Sequence, residues 1–313
     1  MATLTRTSDH PARVPLTCAA MTEPSRITAN GIDFAYLEAG PADGPLALCL
    51  HGFPDHAPTW SHLTPRLAEL GYHVVAPWMR GYAPTGLAPD GNYQTASLAL
   101  DAIALADALA GDGDAVLIGH DWGALASYPA VGHRPDRWKK FVALAVPHSA
   151  GLASTFMTPA QLQRSFYIFF FQNPLADFVV PANDFEFIDY LWNYWSPGFT
   201  PEPEYMRALK DTLGAPGSCE AAINYYRFTL GTLPGDPALA PIEAAGGGRL
   251  PVPTLYLHGA DCGCMGVESA NEDLLRPNFP AGFEMHIVPG AGHFLHREQP
   301  DLVNDLICDF LAP

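Results

Sequence analysis

The sequence predicts an α/β fold: a mostly parallel central sheet with helices on both faces and a helical cap inserted into it. Three observations carry the prediction. Short apolar runs of strand length stop at Gly, His or Pro, the pattern of strands buried on both faces. Ala- and Leu-rich stretches alternate with those runs, as βαβ units require. Between the fourth and fifth runs the composition turns aromatic and loses the alternating strand pattern.

In chain order, Ile27 to Ala39 reads as an antiparallel hairpin at the sheet edge, because Asn30-Gly31 separates two strand-like runs. The buried runs are Leu46–Leu50, Val74–Pro77, Ala115–Ile118, Phe141–Val146, Thr254–Leu257 and Phe283–Val288. Helices are expected over Leu98–Leu109 and Leu302–Leu311, where apolar residues recur at helical spacing. From about His148 the chain carries Phe166, Tyr167, Phe169, Phe170, Phe171, Trp192, Tyr194, Trp195, Tyr225 and Tyr226, punctuated by Pro. Residues 148–240 are therefore expected to form the cap, with 26–147 and 241–313 as the core. Gly246-Gly247-Gly248, followed by Pro251 and Pro253, marks the return to the core. Residues 1–25, with scattered Arg and Pro around a short apolar patch, read as a disordered leader too weak for a signal peptide.

Composition narrows the function. The chain has 313 residues, 48% hydrophobic and 16% charged, which excludes disorder and coiled coil. Its net charge of −17 repels phosphates, so nucleic acid and anionic membrane are poor partners. No apolar run approaches the ~18 residues needed to span a bilayer. The six cysteines are dispersed rather than dense, which fits reduced thiols and a cytoplasmic location. Cys262 and Cys264 form a lone C-x-C without a second pair at zinc-like spacing, and read as small residues packing a loop. Neither metal nor cofactor is expected; a homodimer is allowed.

The chemistry concentrates at strand ends. Gly119-His120-Asp121-Trp122-Gly123 places Asp where a G-x-S-x-G hydrolase has its nucleophile, between a strand and a helix-compatible run. The glycines permit the sharp turn, and the helix N-terminus favours an ionised carboxylate. His51-Gly52-Phe53-Pro54 ends an earlier strand, where the N–H groups of Phe53 and Trp122 could form an oxyanion hole. A cis peptide before Pro54 is expected. His293, in a small-residue loop after the last run, is the candidate base, with His296 a second candidate. The orienting acid should precede it after a strand. Asp261 lies 32 residues upstream, and the rival loop holds no Asp or Glu from Phe141 through Ala160.

In this order, around an aromatic cap, these motifs resemble the α/β-hydrolase-fold epoxide hydrolases, over residues 26 to 313. The resemblance implies the α/β-hydrolase fold and conversion of an epoxide to a vicinal diol through an ester on Asp121, hydrolysed by water that His293 and Asp261 activate. Asn224-Tyr225-Tyr226-Arg227 is similar to the family's Asn-aromatic-Tyr-Arg segment, which makes Tyr226 a ring-opening acid. Tyr167, five residues before Gln172-Asn173-Pro174, is similar to the family's other cap tyrosine. Trp122, Phe53 and Pro54 are expected to line the substrate, a small apolar epoxide that reacts with water.

An Asp nucleophile suits this reaction because attack on a saturated carbon gives an ordinary, hydrolysable ester. The epoxide oxygen departs as an alkoxide and needs hydrogen bonding and a proton, which phenols supply. The alternative is a haloalkane or haloacid dehalogenase with the same Asp. Phe53 offers no side-chain N–H to a halide, so Trp192 or Trp195 would have to point inward. An Arg that could grip a haloacid carboxylate is replaced by Trp122. A serine esterase is disfavoured by the absence of G-x-S-x-G. A binding scaffold that has lost turnover would be expected to break the constellation.

Overall fold

The computed structural model describes residues 23–111 and 113–312. Most of the expected leader therefore lies outside the described residues. Eight strands form one sheet in the order β1-β2-β4-β3-β5-β6-β7-β8. β1 (Ser25–Ala29) and β2 (Ile32–Ala39) form the antiparallel edge hairpin. Asn30 and Gly31 both have positive φ (47° and 75°), the geometry that makes Asn-Gly the favoured two-residue turn. β2 is also antiparallel to β4 (His73–Pro77). From β4 through β3 (Leu46–Leu50), β5 (Ala115–His120), β6 (Lys140–Leu144), β7 (Thr254–Gly259) and β8 (Phe283–Val288) every pairing is parallel.

β3, β4, β5 and β7 are buried at every residue, which requires cover on both faces. α1 (Thr64–Glu69), α2 (Thr95–Ala110) and α3 (Trp122–His133) lie between successive core strands. Seven helices follow β6: α4 (Ser149–Thr155), α5 (Pro159–Arg164), α6 (Phe166–Phe170), α7 (Ala176–Val179), α8 (Ala182–Trp195), α9 (Pro203–Gly214) and α10 (Ser218–Thr229). α11 (Ala240–Gly246) returns to pack on α3, and α12 (Glu272–Leu275), α13 (Leu295–Glu298) and α14 (Pro300–Leu311) complete the chain. No helix among the described residues is long and apolar enough to cross a membrane.

One detail differs from the sequence reading. β6 stops at Leu144 rather than Val146, because Ala145 takes φ 66°, a left-handed conformation that ends the ladder. α4 packs on the core: a Cβ on its Gly151 would lie 2.4 Å from the Ser269 carbonyl oxygen, beyond β7.

The chain leaves β3 for β4 on one side and returns to β5 on the other. The carboxyl ends of β3 and β5 therefore flank a topological switch point, where open α/β sheets form their crevice. A buried ion pair braces this region. Arg80, after β4, donates from Nε and Nη2 to the two oxygens of Asp101 on α2, at 2.5 and 2.6 Å. The Arg80 carbonyl accepts from Tyr225 of α10 at 2.8 Å, tying the inserted helices to the same brace.

Candidate active site

Asp121 stands between β5 and α3 with φ 53° and ψ −116°, a strained turn for a residue bearing a side chain. The residues two positions to either side must be glycine. A Cβ on Gly119 would lie 2.4 Å from the Gly123 oxygen, and one on Gly123 would lie 2.1 Å from the Leu50 oxygen. Gly52 serves the other side, since a Cβ there would lie 2.3 Å from Asp121 Oδ1. The turn thus drives the carboxylate against the loop after β3, where the Phe53 N–H donates to Oδ1 at 2.8 Å. Trp122 opens α3, so its N–H has no intrahelical acceptor. The Phe53–Pro54 peptide is cis.

His293 lies across the carboxylate, with Nε2 3.3 Å from Asp121 Oδ2. The cap fixes its backbone. The Trp195 carbonyl, at the C-terminal end of α8, accepts N–H bonds from His293 and Gly263, both at 3.0 Å. An orphan helix-end carbonyl thereby joins the loops after β8 and β7. His120 adds a second hold, with Nε2 2.9 Å from the His293 carbonyl oxygen. Trp192 of α8 stacks on Phe294 at 3.5 Å between ring centroids and donates from Nε1 to the Pro54 oxygen at 2.9 Å.

Burial opposes the charge on Asp121, but the hydrogen bond and charge of His293, with His120 and the Phe53 N–H, outweigh it and lower the pKa. Burial likewise opposes a charged His293. Cys264, Cys262 and the Asp121 carboxylate favour the charged form, and the balance raises its pKa well above the usual value. His120 and His51 are pushed down by burial to about 3 and about 4, and act as neutral hydrogen-bonding groups.

The two cap tyrosines pack together beside Phe53 and Trp122. Tyr226 of α10 sets its ring 4.9 Å from Trp122 and 5.4 Å from Phe53, and its buried hydroxyl has no hydrogen-bond partner. Tyr167 of α6 lies 5.6 Å from the Tyr226 ring, with its hydroxyl 3.3 Å from Cys264 Sγ. Burial raises both phenol pKa values, so they remain neutral donors. The neighbouring Tyr225 is committed to the Arg80 carbonyl, and His296 turns away to Thr59, 2.6 Å from its hydroxyl.

Asp261 is the exception. It is exposed, and no hydrogen bond or ion pair among the described residues joins its carboxylate to His293. The group at His293 Nδ1 is Cys262 Sγ, at 3.5 Å. The strand-end turn directs the residue after Asp261 inward, and the sequence reading was displaced by one position. The C-x-C that read as loop packing accordingly contributes both thiols to the site. The signal was available in the buried character of the pair beside a strand end, but no spacing rule distinguishes adjacent residues there.

Comparisons with known proteins place the chain in a family. The alpha/beta hydrolase family profile matches residues 47–306. Mouse epoxide hydrolase 4 is 32% identical over 294 residues, covering 91% of this chain and 78% of that protein. The epoxide hydrolase of Caballeronia sordidicola is 30% identical, covering 91% of this chain and 92% of that one. The chain belongs to the α/β-hydrolase epoxide hydrolase family. Among solved structures, epoxide hydrolase A of Mycobacterium thermoresistibile superposes with a TM-score of 0.74 at 26% identity, covering 92% of this chain and 97% of that one. As in these epoxide hydrolase relatives, the fold of a hydrolase enzyme surrounds the site.

Two sets of buried donor atoms lie close enough to hold a cation, each set within 4.8 Å: Asp121, Cys264 and His293; and Asp55, His120 and His296. A metal on the first would occupy the carboxylate and imidazole themselves. In the second, Asp55 already accepts from the Tyr205 hydroxyl and the His56 N–H.

Proposed function

We propose that this enzyme hydrolyses an apolar epoxide to a vicinal diol through a covalent ester on Asp121. The observation that carries the reading is a carboxylate between the Phe53 N–H and His293 Nε2, with an unpartnered buried hydroxyl on the Tyr226 ring that packs against Phe53 and Trp122. Oδ1 rests on the N–H, which leaves Oδ2 to attack a saturated carbon. Ring opening sends the bonding electrons to the epoxide oxygen, and Tyr226 and Tyr167 hydrogen-bond and protonate it.

Alkylation also changes the base. While Asp121 is anionic it adds to what favours the imidazolium; once it is an ester that contribution is gone, which lowers the His293 pKa and favours the neutral imidazole that takes a proton from water. The water oxygen attacks the Asp121 carbonyl carbon, with Phe53 and Trp122 N–H groups holding the oxyanion. Phe171, Trp195 and the Tyr226 ring pack against Phe53, and these apolar surroundings favour aryl or alkyl substrates. Residues 148–240 act as the cap that supplies the phenols and excludes water.

One observation favours the dehalogenase alternative: Trp195 Nε1 is buried without a partner and its ring lies 5.1 Å from His293, so an N–H for a halide is at hand. A single experiment separates the two. Intact-mass spectrometry of a His293→Gln variant is expected to show a stable adduct on Asp121 with styrene oxide and none with 1-bromobutane. The reverse pattern would establish the dehalogenase, and no adduct with either would remove the covalent mechanism.

A further inference from the structure

A histidine that takes a proton at Nε2 must carry its own proton on Nδ1, and the acceptor there sets both tautomer and ring orientation. In this chain that acceptor is a sulfur. Cys262 Sγ lies 3.5 Å from Nδ1 and is itself held by the Met265 N–H at 3.4 Å. The loop is locked in register with the base, since Gly263 and His293 share the Trp195 carbonyl. A Cβ on Gly263 would lie 2.1 Å from the Tyr194 oxygen, so the loop sits hard against the end of α8.

We propose that Cys262 is the positioning residue for His293, and that its sulfur, a weaker acceptor than a carboxylate, makes hydrolysis of the Asp121 ester the slow half of the cycle. The proposal rests on the epoxide hydrolase reading above. In that half-reaction water gives a proton to Nε2 while its oxygen bonds to the ester carbon. The acyl C–O bond to the substrate oxygen then breaks, the departing alkoxide recovers the proton from Nε2, and the proton left on the Asp121 carboxyl passes through His293 to the phenolate formed at ring opening, which restores carboxylate and phenol together. The imidazolium formed between these events has lost the Asp121 charge as its counterion. A carboxylate on Nδ1 would stabilise it electrostatically, whereas a thiol offers only a weak lone pair. The titratable groups around His293 are Asp121 at the elbow, His120 on β5, His258 on β7, Cys262 and Cys264 after β7, and His296 and Glu298 on α13. None of them puts a carboxylate on Nδ1.

Rapid-quench intact-mass measurements on the full chain with styrene oxide follow formation and decay of the adduct separately. The unmodified enzyme is expected to accumulate adduct during turnover. Cys262→Asp should speed its decay roughly 10²-fold and shift the acid limb of the decay profile to higher pH, because a carboxylate raises the imidazole pKa. Cys262→Ala should slow decay, and Cys262→Ser should partly restore it, with alkylation moved far less in each case. Should Cys262→Asp fail to fold, the Ala and Ser pair carries the test. Decay rates and acid limbs that ignore residue 262 would reduce Cys262 to packing and overturn the proposal, leaving the covalent reading intact. Absence of any adduct, His293→Gln included, would instead remove the covalent reading and this proposal with it.

Discussion

The two nitrogens of His293 face two strand-end loops that differ in what they offer. On the Nε2 side, the turn after β5 presents a carboxylate whose position is forced by three glycines, an N–H donor and a strained φ. On the Nδ1 side, the loop after β7 presents a thiol at 3.5 Å and leaves its carboxylate, Asp261, in solvent. The contrast teaches that the two halves of an ester mechanism can be built to different strengths in one site. Under the proposed mechanism, forming the ester would draw on the first loop and breaking it on the second.

The contrast can be broken most severely at the nucleophile. Asp121→Ala removes the atom that bonds to substrate, and kcat/KM for diol release should fall roughly 10⁴- to 10⁶-fold, as for loss of other catalytic nucleophiles. The adduct should vanish as well. Residual turnover within tenfold of the starting enzyme would mean that water attacks the epoxide directly. Next in size is the cap. Tyr226→Phe removes one donor to the developing alkoxide, worth about 10²-fold in the alkylation rate, with ester decay little changed. Tyr225→Phe serves as its control: it loses the bond to the Arg80 carbonyl, costing about 1 kcal/mol of stability, and should leave the alkylation rate nearly intact. Equal kinetic effects at the two positions would deny Tyr226 a role in ring opening.

How much of this was legible in the sequence depended on whether a residue type has one use or several. β3 and β8 fall at the boundaries their apolar runs indicate; β3 is buried throughout, whereas β8, at the sheet edge, is buried only at Phe283 and Val288. The elbow was equally readable: Gly119, Asp121 and Gly123 occupy positions where a Cβ, or its absence, decides whether the turn can close. Asp261 and Cys262 were not. Both follow β7, both are chemically competent, and which one turns inward depends on how the loop meets the end of α8, a long-range contact made through the Trp195 carbonyl. The aromatic run of the cap hid a similar ambiguity between Tyr225 and Tyr226. There the alignment with an Asn-aromatic-Tyr-Arg segment chose Tyr226, whose hydroxyl the structure leaves free, while Tyr225 serves as a tie to the core.

The smallest expected effect is also the one that compares the two loops most directly. Asp121 has a lowered pKa, so its carboxylate should stay ionised below the ordinary aspartate value of about 3.9. Alkylation should therefore hold its rate as pH falls to about 4. Hydrolysis requires neutral His293 after the Asp121 charge has been consumed, and its acid limb should lie at higher pH than that of alkylation. The same pair bears on stability. The lowered Asp121 pKa contributes above the unfolded value of about 3.9 and is lost as pH falls through the folded one, whereas the raised His293 pKa contributes below about 6.5 and is lost as pH rises through its folded value. Both contributions are present between about pH 4 and 6.5. Single-turnover rates measured from below about pH 4 to above about pH 6.5 would place the two acid limbs. Limbs that coincide would mean that one ionisation governs both half-reactions, and that His293 is not released by alkylation of its partner.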